Sequence, residues 1–63
     1  MSNELKQELI LKLQNLMKQK HGMVDYLHLK LSQEDWHGVA DAAMDIREIV
    51  SRSMAITELL ERD

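Results

Sequence analysis

The chain has no cysteine, no proline and no phenylalanine, and its only glycines are Gly22 and Gly38. Without cysteine there are no disulfides and no thiolate metal sites to staple the fold. Aromatic side chains are nearly absent too, with Tyr26 and Trp36 the only two. No apolar run approaches the ~18 residues of a membrane span, and no secretory or lipidation signal stands out. The expected location is therefore a cytosol. H-E-x-x-H, phosphate loops, nucleophile elbows and dinucleotide fingerprints are missing, which removes the common signatures of metalloproteases, nucleotide-binding enzymes and hydrolases.

What remains is a chain rich in Leu, Ala, Met, Glu, Lys and Gln, the strong helix formers. With 44% apolar and 30% charged residues, the balance suits a folded domain rather than a disordered one. A length of 63 residues allows one small domain, residues 1–63. A fold of this size hides only about 60% of the surface of its unfolded chain. At roughly 0.05–0.15 kcal/mol per residue, its stability alone amounts to a few kcal/mol. Small scaffolds usually need a staple. With disulfides excluded, the choices are a histidine/carboxylate metal site or association with another subunit.

The apolar spacing predicts two helices. In the first, Ile10, Leu13, Met17, Val24, Leu27 and Leu31 step by threes and fours, with Lys20 out of character and Leu9, Leu16 and Met23 widening the stripe on one side. Ser2 or Asn3 suits its start, and Glu4 and Glu8 suit the positive end of the helix dipole. The expected span is about residues 3–31. "KQKHG" ends in the way helices end, yet the periodicity runs across Gly22, so either a break there or a continuous helix fits. "LSQED" marks a turn over residues 32–34, with Ser32 and Asp35 resembling a capping box. The second helix is expected over about residues 35–60. Its buried line is Val39, Ala43, Ile46, Val50, Ser53, Thr57 and Leu60, flanked by Trp36, Ala42, Ile49, Met54 and Ile56.

A turn this short makes the helices antiparallel neighbours, about 40 Å long at 1.5 Å per residue. The fold class is therefore all-α, an antiparallel helical hairpin. Two helices have only each other to cover two wide apolar faces, so self-association into a helical bundle is expected, most simply as a two-fold homodimer forming a four-helix bundle. Leu13, Met17, Val24, Leu27, Val39, Ala43, Ile46 and Val50 are the expected oligomer interface. Lys20, Ser53 and Thr57 interrupt the stripes at positions where polar residues set register.

Charge is unevenly placed. Residues 1–31 carry five lysines against three acids, while residues 32–63 carry three arginines against eight acids. Two helices attracting each other side by side account for this. The basic excess is too small, and too free of interleaved aromatics, to favour a nucleic-acid partner. Asp41, Asp45, Glu48 and Arg52 read as a solvated face, with Glu48 and Arg52 an i,i+4 pair.

His37 and Asp41 are also spaced i,i+4, and His21, Asp25 and His28 lie along one edge of the first helix. These residue types suit zinc or a similar ion. A bundle metal site, however, needs ligands projecting inward from facing helices. No metal, no cofactor and no catalytic group is therefore expected. Near the turn, Trp36 and Tyr26 are typical interface anchors, and with His37, Asp41, Met44 and Arg47 they form the expected partner-binding patch. The alternative is an oligomeric binder of an anionic small molecule such as a signalling nucleotide, held by Lys18, Lys20, His21 or Arg47 in a pocket between subunits.

The run "EDWHGVADAAMDIREIV" resembles a segment of small uncharacterised proteins of tailed bacteriophages and prophages, with the pattern D-W-H-x-V-A-D-A-A-M-D-I/L-R. The match covers Glu34 to Glu48. The resemblance implies an accessory protein made in the cytosol of an infected bacterium, of a kind that binds and redirects host proteins, defence systems included. "VADAAMDI" is also similar to the aspartate-bearing helix of all-helical nucleotide pyrophosphatases. Their upstream glutamate pair is missing, since "KHGMVDYLH" offers only Asp25. A metal-dependent enzyme therefore ranks below a protein-binding role.

Overall fold

A computed structural model describes residues 1–62, and these form two helices and one tight turn. Helix α1 spans Asn3–Ser32 and helix α2 spans Trp36–Glu61. The pair lies side by side as an antiparallel, all-α hairpin with Cα extents of 47 × 15 × 11 Å. Neither helix is long and apolar enough to cross a membrane.

Local chemistry sets the ends. The Ser2 hydroxyl accepts the Leu5 N–H at 3.1 Å and so satisfies one of the donors a helix start leaves free. Helix α1 passes straight through Gly22, so the break held open by the sequence does not occur. At the far end the Asp35 N–H donates to Lys30 O at 3.0 Å and the Glu34 N–H to Leu31 O at 3.1 Å. That pair of bonds is a Schellman ending, and it puts Glu34 at φ 55°. Glycine or asparagine normally fills this left-handed position, and glutamate gives no sequence signal for it.

The expected capping box is replaced by a different arrangement. Ser32 is the last residue of α1, and its hydroxyl donates back to Leu29 O at 2.6 Å. Asp35 caps α2, accepting the Gly38 N–H at 3.1 Å. The reversal of direction needs the left-handed Glu34, which leaves Ser32 on the wrong side of the turn to cap the second helix.

The two helices meet along a narrow line. From α1 it takes Leu9, Leu13, Leu16, Lys20, Met23, Leu27 and Lys30, all buried or half-buried. From α2 it takes Val39, Ala42, Ile46, Ile49, Ser53, Ile56 and Leu60. This differs from the expected stripes in one consistent way. Each helix is rotated so that Leu9, Leu16 and Met23, and Ala42, Ile49 and Ile56, face the partner helix. Ala43, Val50 and Thr57, placed inside by the sequence reading, are exposed, as are Ile10 and Leu31. Ala42 is fully buried, and a methyl group there lets the backbones come close. Ser53 is buried within the line, and its hydroxyl donates to Ile49 O at 2.8 Å, so it needs no partner across the hairpin.

An ideal Cβ at Gly22 meets nothing within 4 Å. Gly22→Ala is therefore expected to stabilise the protein by about 1 kcal/mol, because alanine removes the entropic cost of glycine inside a helix. Thermal and urea melts followed by circular dichroism measure this, and an unchanged or lower midpoint would contradict a continuous, open helix at this point.

Candidate protein-binding surfaces

The shared rotation of both helices gives the hairpin two unlike broad faces. On one, Ile10, Met17, Val24 and Leu31 of α1 lie beside Trp36, Ala43, Val50 and Thr57 of α2. Half-buried Leu13, Leu27, Val39 and Ile46 lie beneath them. A groove runs along this face between Leu13, Met17 and Lys20 on one wall and Val50, Ser53, Met54 and Thr57 on the other, with Glu58 and Glu61 at its end. The opposite face has a polar rim over an apolar floor. Its depressions have Leu9, Leu16, Met23, Ile49 and Ile56 at the base, edged by Lys12, Asn15 and Gln19 from α1 and by Asp45, Glu48 and Arg52 from α2. There Arg52 donates to Glu48 at 2.7 Å, an exposed pair worth only tenths of a kcal/mol (~0.3–0.5).

The eight residues named from sequence as an oligomer interface all fall on the apolar face. Leu13, Leu27, Val39 and Ile46 do double service, contributing to the contact between the two helices and to the floor of the open face. Met17, Val24, Ala43 and Val50 lie on its flanks.

The patch predicted near the turn is dispersed. Trp36, Tyr26, His37, Asp41, Met44 and Arg47 are all exposed. Trp36 continues the Ala43–Val50 row on the apolar face, whereas the helical register sets Tyr26 on the polar side. There the Lys30 ammonium lies 5.2 Å from the centroid of the Tyr26 ring. Met44 and Arg47 border a shallow depression on the outer surface of α2 with Asp45, Glu48 and Ser51. The aromatics thus flank opposite edges of the turn.

Lys30 organises that turn, a role the sequence reading missed. Its ammonium lies 3.4 Å from Asp35 Oδ2 and donates to Gln33 Oε1 at 3.4 Å. Its aliphatic stem crosses the first turn of α2 directly over Gly38, where an added Cβ would come within 2.7 Å of Lys30 Cδ. Glycine here lets the Lys30 stem and the Asp35 carboxylate settle against the backbone, and a Cβ would push those side chains aside. The signal was a lysine five residues before the capping aspartate and a glycine three residues after it.

His37 and Asp41, and His21, Asp25 and His28, are exposed. Among the described residues no three histidine, aspartate or glutamate side chains gather closely enough to hold a metal ion. Of the basic residues named for an anion, Lys20 shares its groove with Glu58 and Glu61, which oppose a negative ligand. Lys18, His21 and Arg47 are spread over the exposed surface. Compared with family models, curated proteins and solved structures, the chain matches none.

The Gly38 N–H holds the Asp35 carboxyl below its ordinary value, and Lys30 adds to the effect, against a smaller upward push from desolvation. A lowered folded pKa means that this stabilisation is present above the unfolded value, about pH 4, and is lost as the pH falls through the folded one. Asp35→Asn keeps a capping oxygen but loses the charge. Wild type is expected to melt above Asp35→Asn at pH 7, with the gap closing below about pH 4. A gap of constant size across that range would remove Asp35 from this role.

Proposed function

We propose that this protein acts without catalysis, as a self-associating helical hairpin that binds another protein through the start of α2. The observation that carries the reading is the exposure of Met44 at 70% and Trp36 at 64%, the highest among the exposed large apolar residues. Both lie in the opening turns of α2, beside charged Arg47 and Asp41. A tryptophan on a rigid helix has only two side-chain torsions to lose on binding, and tryptophan is prominent among the residues that carry interface energy. The resemblance of the Glu34–Glu48 segment to small phage and prophage proteins supports a more particular role. In that role the protein is a phage-encoded accessory or anti-defence factor, and its partner is a protein of the host bacterial cytosol.

Affinity capture from bacterial lysate, with wild type and a Trp36→Ala/Met44→Ala variant side by side, tests the reading. The double variant is expected to remain helical and to lose at least about 2 kcal/mol of binding to the captured protein, roughly a thirtyfold weakening. Met44→Ala alone, off the apolar face, is expected to weaken capture with unchanged mass in solution. Equal retention by wild type and the double variant, or no protein retained by wild type, would overturn it.

A further inference from the structure

We infer that the apolar face carrying Met17, Val24, Ala43 and Val50 is covered by the same face of a second copy of this chain. This makes specific the self-association in the proposed function and rests on that reading. Trp36 lies at the end of the same face, so Met44, on the outer surface of α2, separates partner binding from pairing.

The first argument is the need for permanent cover. Inside the hairpin only Leu16, Ala42 and Ile49 are buried apolar residues among those described. Neither a disulfide nor a described group of metal-binding side chains supplements them. Two long helices held by so small an interior need their open apolar face protected whenever they are folded. A target protein is present only at the moment of binding, whereas another copy is present wherever the chain accumulates. Small folds commonly obtain their missing stability in this way.

The second argument is size. The broad side of the hairpin measures 47 × 15 Å between Cα extents. That is roughly 700 Å² before side chains widen it, close to the ~800 Å² each partner contributes to a standard stable interface. The third is charge. A two-fold axis sets a surface against itself, so a charge near the axis meets its own copy, and a face whose middle is uncharged pairs with itself most readily. The groove on this face carries Lys20, with Glu58 and Glu61 at one end, and its other lining residues are uncharged, while the opposite side displays Lys12, Asp45, Glu48 and Arg52. Lys20, half-buried in the groove, and the two glutamates at its end are the charges that pairing must accommodate.

Sedimentation equilibrium and thermal melts over a hundredfold range of concentration, about 1 to 100 μM, test the inference. Wild type is expected at the mass of two 7.4 kDa chains, with a melting midpoint that rises with concentration. Val50→Glu is expected to weaken pairing by at least about a hundredfold, and Lys20→Leu to strengthen it by about tenfold or more. Asn15→Glu on the polar side is expected to leave the mass unchanged. Should Val50→Glu fail to fold, the concentration dependence of wild type and the tighter pairing of Lys20→Leu decide the question. A folded single chain with a concentration-independent midpoint, a mass other than two chains, or a Val50→Glu protein that pairs as wild type does would overturn the inference. Capture of a partner by the start of α2 is measured separately, through Met44→Ala.

Discussion

Everything in this molecule follows from how narrow the contact between its two helices is. Each helix presents a stripe wider than the other can cover, so closing the hairpin is a choice of which part to bury. The choice falls on Leu16, Ala42 and Ile49 at the centre, with Leu9, Met23 and Ile56 beside them. Burying those residues commits Ile10, Val50 and Thr57 to the outside. The open apolar face is the direct geometrical consequence of a fold whose described residues form two helices and no third element.

The turn fits the same choice. Asp35 caps α2 through Gly38, and the Schellman bonds from Glu34 and Asp35 close α1. Lys30 spans the two, with its charge on Asp35 and its stem across Gly38. These contacts are consistent with the rotation of each helix where the hairpin begins. Over long, nearly straight helices, rotation at one end sets the facing residues along the whole length. The polar side beside Tyr26 and Lys12 and the apolar side beside Trp36 and Val50 are therefore settled together.

Much of the fold was legible in the sequence. The ends of both helices fall within a residue of their expected places, because Ser2 and the "LSQED" turn carry local signals that need no tertiary partner. The antiparallel arrangement follows from the shortness of that turn. Less legible was the turn's own chemistry. Glutamate is an unusual residue for a left-handed position, so Glu34 concealed the Schellman ending. Ser32 imitated a helix cap that Asp35 provides instead. Of the candidate surfaces, the eight apolar residues read as one interface do share one face. The aromatic patch does not hold together, because Tyr26 and Trp36 are close in sequence but lie on opposite sides of the hairpin.

The sequence by itself determined that there would be two amphipathic helices, where they would begin and end, and that their combined apolar surface would exceed what a hairpin hides. These are properties of spacing, capping and length, and each is local or additive. Tertiary structure alone decided which half of each stripe turned inward. Leu9 and Ile10, or Ile49 and Val50, are equally apolar neighbours, and periodicity cannot choose between them. The choice required the second helix to be present, with fully buried Ala42 permitting a close approach along the line of Leu16, Ile49 and their neighbours.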